Sequence, residues 1–432
     1  MTLLGSLFFG LLVFGVPVAF VLGGAATLYI VLVGGVPLST VPQRIFAGLD
    51  QFVLMSIPFF ILAGFLMNEA QLTGRLVQFA NYMVGRWRAG LAQVNVVTSL
   101  FFGGITGAAT ADVAAIGPIM IPAMVKQGYS RENATAVTVA SSIVGPLLPP
   151  SIPMLVYGIS SGASIGSLFL AGVTPGLVAG FAMLALNRYL FRHMAPTAVP
   201  LEGAGSSMAR ITGFFASLRI ALVALAMPLI IVGGVVGGVF TPTESSVAAV
   251  LYAGIVGLAM RTMGLRVVAR MIGLTAILSA TIMLIVAGAN LLGWVLAFER
   301  VPQAIAEMFL SLTDNRWVFL LMVMAILLVV GLFLETSGAI IILTPVLLPS
   351  ALAYGFDPIH FGVVIVFGLV IGLITPPVGL CLFVGCSVGG VQLHRLARAV
   401  TPYMVLLIVV YAFFAFVPQA STWLPSLLNP IG

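Results

Sequence analysis

Four acidic residues sit in surroundings so apolar that each needs a reason to be there: Glu69, Asp112, Glu244 and Glu335. A charge at membrane depth costs roughly 2.5–3.5 kcal/mol on insertion scales, so such residues are usually paired or functional. Asp112 closes the string GGITGAATAD (Gly103 to Asp112), and Glu335 stands in GLFLETSGA (Gly331 to Ala339). Each string is a polar, small-residue interruption at the centre of an apolar run. Plainer roles exist for three of the four. Glu244, in FTPTESS, fits a first-turn carboxylate stabilised by the helix dipole. Glu69 fits the membrane interface, and Asp112 fits an N-terminal cap. Glu335 is the strongest candidate for holding a coupling cation.

Two further strings carry chemistry through their backbone. GPLLPPS (Gly145 to Ser151) and GLITPP (Gly372 to Pro377) each interrupt a helix-length apolar run, 134–163 and 359–391. Proline removes a donor, frees a carbonyl and starts a helix well at its first position. Each break therefore exposes the carbonyl end of one half-helix and the positive N-terminus of the next. Carbonyls and hydroxyls suit a hard cation such as Na⁺, and helix N-termini suit an anion. A simple kink accounts for one such break but poorly for two in related positions. No Arg or Lys lies at membrane depth in this core, so an anion held there needs backbone N–H groups, hydroxyls and bound cations.

Enzymatic constellations are not found. There is no Walker loop, so transport by this chain must draw on an ion gradient. His193, His360 and His394 all fall near loop ends, where a solvated or interfacial role is expected, and Cys381 and Cys386 read as small buried hydrophobes. The formal charge of +6 is spread in short clusters, as topology signals are, and does not point to nucleic acid.

The elements that position these residues follow from hydropathy. The chain is 61% hydrophobic and 6% charged, against roughly 25% charged in soluble domains, which excludes a soluble fold. Apolar runs fall near 3–33, 50–67, 90–125, 134–163, 167–187, 213–239, 244–260, 272–297, 317–353, 359–391 and 400–418. The first is expected to be a spanning helix rather than a cleaved signal, since a signal core is far shorter. The runs 90–125 and 317–353 are too long for one span and too short for two, which suits re-entrant hairpins. The stretches 68–88 and 298–315 are amphipathic and expected along the interface.

An internal repeat links these features. Adding 227 to positions 116–158 pairs Pro118 with Pro345, Pro122 with Pro349, Pro149 and Pro150 with Pro376 and Pro377, and Gly145 with Gly372. Chance would align roughly 0.7 prolines between the windows, and four align. Arg86, Arg88, Lys126 and Arg131 flank the first hairpin, whereas Asp314, Arg316 and Asp357 flank the second. Basic loops stay cytoplasmic, so the two hairpins enter from opposite sides. The expectation is an all-α polytopic membrane protein of two inverted-topology repeats, each with a re-entrant hairpin and a broken helix. The first repeat is 1–190. A cytoplasmic linker, bracketed by Arg188, Arg192, Arg210 and Arg219, and a connecting helix fill 191–240, and the second repeat is 241–432. About nine crossings and two hairpins then place the N-terminus inside and the C-terminus outside. Both hairpin tips and both breaks must meet near the midplane. Such a site survives only if it moves whole, as an elevator domain within a scaffold.

The strings SIPFFILAG (56–64), GGITGAATADVAAIGPIMIPAM (103–124), SSIVGPLLPPSIPMLVYG (141–158), FTPTESSVAAVLYA (240–253), DPIHFGVV (357–364) and GLITPPVG (372–379) together resemble the large membrane subunit of TRAP (tripartite ATP-independent periplasmic) transporters, over essentially the whole chain. The resemblance implies Na⁺-coupled import of an organic acid, such as a C4-dicarboxylate or a sialic acid, across the bacterial inner membrane. It implies two partners, a periplasmic substrate-binding protein and a four-helix small membrane subunit, the latter expected as a separate chain. It implies a first Na⁺ site at Thr106, Gly107, Thr110, Ser142, Gly145 and Ser151. A second would use Glu335, Thr336, Ser337, Gly372 and Thr375, with Asp112, Pro150 and Pro376 as substrate-facing candidates. The family often carries Asp where Glu335 stands, and serines are common where this first tip reads TGAAT. The alternative function is a stand-alone Na⁺-coupled anion symporter of the same architecture.

Overall fold

The structure, a computed structural model, describes residues 2–70, 72–194 and 207–428. Residues 195–206 of the expected linker, and the side chain of Arg210 beyond it, lie outside the described residues. All regular structure among the described residues is helical.

The first apolar run is not one helix. It divides into α1 (Thr2–Val13) and α2 (Val18–Val33), because Gly15 turns to φ +77° and Pro17 has no N–H to continue the ladder. A short amphipathic helix, α3 (Thr40–Leu49), fills a stretch that the apolar runs leave empty. It is followed by α4 (Ser56–Glu69) and α5 (Leu72–Val84). α5 buries Leu72, Leu76, Phe79 and Ala80 along one face, in the spacing of an amphipathic helix.

The run 90–125 folds as α6 (Gly90–Thr106) and α7 (Ala109–Lys126), with two residues between them. The next run divides into α8 (Arg131–Ser142) and α9 (Ile152–Ser161), and α10 (Ile165–Leu190) follows. Next come α11 (Ser207–Val236), α12 (Pro242–Ala259), α13 (Leu265–Phe298) and α14 (Val301–Leu312). The second set is α15 (Arg316–Gly331), α16 (Thr336–Ala353), α17 (Pro358–Gly372) and α18 (Leu380–Gly389), ending with α19 (Leu393–Phe416) and α20 (Gln419–Leu428). Among the described residues, eight helices, two of them the arms α7 and α16, are long and apolar enough to cross a membrane.

Element bounds follow the same offset as the sequence. α7 and α16 are each 18 residues long and begin and end 227 positions apart, and α8 and α17 begin 227 apart. The packing is reciprocal too: α4 lies along α12 and α2 along α13. α18 packs on α7 and α8, and α9 packs on α16 and α17.

The centre is built on α8 and α17. Every residue from His360 to Gly372 in α17 is buried, as is every residue from Ala134 to Ser142 in α8. α17 is apolar all round, the pattern of a helix enclosed on every side. α8 is not, and its hydroxyls find partners instead. Thr135 donates to the Arg131 carbonyl (2.8 Å) and Ser142 to that of Val139 (2.8 Å). Asn95 of α6 donates to Thr138 Oγ1 (2.7 Å), and Ser99 pairs with Ser141 (2.9 Å). Gln93 and Asn187 tie α6 to α10 through backbone carbonyls, at 3.0 and 3.1 Å. Around this centre, the outer helices expose large apolar side chains such as Leu251, Ile255, Leu258 and Ile277, as hydrocarbon surroundings permit.

Candidate transport site

The first tip turns on Gly107, which ends α6 at φ +61°. A Cβ at this position would also run into the Pro150 carbonyl oxygen of the facing break, so backbone conformation and space both demand glycine here. Ala108 is extended and precedes α7 without any side-chain cap. The second tip ends differently. Glu335 caps α16, its Oε2 accepting from the Gly338 N–H (3.1 Å) and its Oε1 from the Ser337 hydroxyl (3.1 Å).

The breaks differ in the same way. Ser151 caps α9 by accepting from the Met154 N–H (3.1 Å), and its hydroxyl donates to the Pro146 carbonyl. Gly379 precedes α18 with no side chain to offer, and its N–H donates to the Leu332 carbonyl at the second tip (3.4 Å). Both Pro–Pro bonds, Pro149–Pro150 and Pro376–Pro377, are cis. Four half-helices thus begin around one point. Two are closed by the side chains of Ser151 and Glu335, α18 is closed by the Leu373 carbonyl, which accepts from the Cys381 N–H (3.0 Å), and α7 presents first-turn N–H groups that no side chain caps.

One cavity of about 380 Å³ collects these ends. The first tip contributes Thr106 to Ala111 and the second Glu335, Thr336 and Ser337, while Pro146, Ile152, Leu373 and Leu380 come from the breaks. Among the described residues, Glu335 is the only charged one lining it. The remaining wall is apolar but for Thr281 and comes from α4 (Ile61, Gly64, Phe65) and α13 (Leu278, Thr281, Ile282, Ile285). Ile61 and Gly64 fall within the string SIPFFILAG, whereas the α13 residues belong to no string singled out in the sequence. The repeat offset pairs α4 with α13 as elements, carrying 56–69 onto 283–296, but does not pair wall residue with wall residue.

Of the residues implied for cation binding, Thr106, Gly107, Thr110, Glu335, Thr336 and Ser337 line this cavity. Ser142, Gly145 and Ser151 are buried behind the first tip, with Gly145 against Gly103. Gly372 lies against Gly331, and the Thr375 hydroxyl donates to the Ile371 carbonyl (2.8 Å). The donor set fits a hard cation. The Ser142 and Thr375 hydroxyls direct their protons to carbonyls, which leaves oxygen lone pairs free. Thr336 Oγ1 is buried with no hydrogen-bond partner.

The structure places the other singled-out residues as follows. Asp112 neither caps α7 nor reaches the cavity. It is the fourth residue of the helix and fully buried, beside Ser99 of α6. Pro150 and Pro376 are likewise absent from the lining, where Pro146 and Pro153 stand instead. His360 is not interfacial. It is buried, with Nδ1 3.2 Å from Ser421 Oγ, because α20 folds over the start of α17. Glu69 pairs with Arg270 (2.9 Å) between α4 and α13. Glu244 forms a reciprocal cap with Thr241, its carboxylate accepting from the Thr241 N–H at 2.7 Å.

An all-helical membrane fold, with broken helices meeting at an internal cavity, defines a secondary-transporter architecture. The solved structure of the Alcanivorax borkumensis YdaH transporter shares the fold, with a TM-score of 0.62 over 89% of this chain and 88% of that one at 15% identity. The family described as "Tripartite ATP-independent periplasmic transporter, DctM component" matches residues 6–420, and the chain belongs to it. The sialic acid TRAP transporter large permease protein SiaM of Vibrio cholerae is 38% identical over the full length of both chains. The C4-dicarboxylate TRAP transporter large permease protein DctM of Rhodobacter capsulatus is 34% identical over 98% of each. The chain is a transporter subunit of the inner membrane, not an enzyme.

Proposed function

We propose that this permease imports an organic acid anion, of the C4-dicarboxylate or sialic acid kind, in symport with Na⁺. A periplasmic binding protein delivers the anion, and a four-helix small membrane subunit completes the complex. The observation that carries this reading is the shared cavity, into which both tips and both breaks open and where Glu335 is the only charge among the described residues. An anion there finds no Arg or Lys. Its charge must be met by the uncapped start of α7 and by cations held beside it. The hydroxyls and carbonyls of the tips and breaks, with the unpartnered Thr336, suit Na⁺ in that role.

The two sets of helices are an inverted-topology repeat, and the hairpins and broken helices of both move as one elevator domain within a scaffold of the remaining helices. The packing of α9 on α16 and of α18 on α7 interlocks the two halves, so rocking one against the other would tear the site. The cavity's apolar wall on α4 and α13 is then the surface along which that domain slides. The deciding experiment is uptake of labelled succinate or sialic acid into proteoliposomes holding both membrane subunits, with loaded binding protein outside. Uptake should need an inward Na⁺ gradient, and full uptake on a proton gradient without Na⁺ would overturn the coupling.

A further inference from the structure

A second cavity, of about 370 Å³, lies between α3 and α13 on one side and α9 and α16 on the other. Its lining includes Arg44, Gln51, Ser160, Asn290 and Trp294. The Arg44 guanidinium sits over the Trp294 ring, 5.1 Å from its centroid, and has no carboxylate partner. The ion pairs among the described residues are Glu69–Arg270 and Glu132–Arg395. The side chains of Gln51, Ser160 and Asn290 have no hydrogen-bond partner among the described residues. Gly48, one turn after Arg44, lies against Asn290 so closely that a Cβ would come 2.5 Å from the Asn290 Cβ. Arg44 and Asn290 are thereby held at the same wall. A fork of guanidinium N–H donors beside two amides and a hydroxyl is the chemistry that recognises a carboxylate.

Three helices connect this cavity to the transport site. α9 lines the inner cavity at Ile152 and the second at Ser160, α13 at Ile285 and Asn290, and α16 at Thr336 and Pro345. At helical rise those separations are about 8–14 Å. Glu299 follows α13 directly and, by the basic-loop rule, faces outside, so the second cavity is the outer one. Resting on the transport reading above, we propose that Arg44, with Gln51, Ser160 and Asn290, forms an outer capture site. It holds the substrate's carboxylate before the anion descends to the tips. Among the described residues the inner cavity is lined by no side-chain cation, and the guanidinium on this route stands at its mouth.

The test compares wild type, Arg44→Gln, Arg44→Lys and Gln51→Leu in proteoliposomes with both membrane subunits and loaded binding protein. For Arg44→Gln, the concentration giving half-maximal uptake of succinate or sialic acid should rise at least tenfold. Arg44→Lys and Gln51→Leu should fall in between. Maximal rate and half-saturating Na⁺ should stay within twofold. Docking of substrate-free binding protein onto the purified membrane complex should be unchanged. An unchanged half-maximal concentration overturns the proposal, and so does an equal loss of docking, which would assign Arg44 to the protein partner. If wild type shows no Na⁺-driven uptake, the transport reading fails instead. The capture site is then judged by whether either anion raises the unfolding temperature of purified wild type but not of Arg44→Gln. Should Arg44→Gln fail to fold, Gln51→Leu carries the same comparison.

Discussion

Gly103 of the first hairpin and Gly145 of the first break meet backbone to backbone, so that a Cβ on Gly103 would lie 2.5 Å from the Gly145 Cα. The second half repeats the contact: a Cβ on Gly331 would lie 3.1 Å from the Gly372 Cα. Each tip is thus seated on its own break with no side chain between them, which fixes the ring of half-helix ends around the cavity. Gly103→Ala must push the two apart, and overpacking of this kind costs about 1–3 kcal/mol. The purified protein should unfold at lower temperature and uptake should fall sharply. Gly254→Ala is the control. Nothing lies within 4 Å of a Cβ there, so stability and uptake should hold.

Thr336→Ala removes a buried hydroxyl that has no protein partner. If that oxygen serves Na⁺, its loss costs about 1 kcal/mol, and half-saturating Na⁺ should rise roughly fivefold. Thr375→Ala should shift in the same direction. Uptake measured against external Na⁺ reads both, and an unshifted curve for each would remove them from the cation sites.

Glu335 combines a cap with a charge, and one substitution separates the two. Glu335→Gln keeps an oxygen to accept from the Gly338 N–H (3.1 Å in the native chain) but loses the negative charge. Unfolding temperature should change little while Na⁺ dependence weakens. A large fall in stability with unaltered Na⁺ dependence would make Glu335 a structural cap alone.

Elevator movement and rocking are distinguished by two cysteine pairs. A Cβ on Gly117 of α7 lies 3.7 Å from the Val388 Cβ of α18, the spacing a disulfide needs. Gly117→Cys with Val388→Cys joins the two halves inside the moving unit, so oxidation should leave uptake intact. A Cβ on Gly338 of α16 lies 3.8 Å from Ile285 Cγ2 of α13. Gly338→Cys with Ile285→Cys should stop uptake when oxidised and release it when reduced. The reverse pattern would mean that the halves rock.

The permease should not work alone. Proteoliposomes with this chain but no small subunit or binding protein should show little Na⁺-driven uptake, and adding both should restore it. Rapid uptake by the lone chain would favour the stand-alone symporter.

The hairpins, breaks and their spacing were legible in the chain itself. A polar, small-residue centre within an apolar run can be neither a plain span nor a loop in lipid, so 90–125 had to double back near Gly107. Gly145 to Ser151 and Gly372 to Pro377 had to break their helices, because paired prolines remove donors wherever the chain runs. These features are local, and local rules read them. Tertiary contact decided the rest. The chain places Glu335 and Asp112 in like strings. Only the packed structure makes the first a cap at the cavity and buries the second out of its reach. The apolar wall from α4 and α13, the burial of His360 under Ser421, and Arg44 over Trp294 depend on helices distant in sequence coming within touching range. Which helices approach so closely is set by where small residues such as Gly48 and Gly103 meet a partner, and each such meeting belongs to two segments at once.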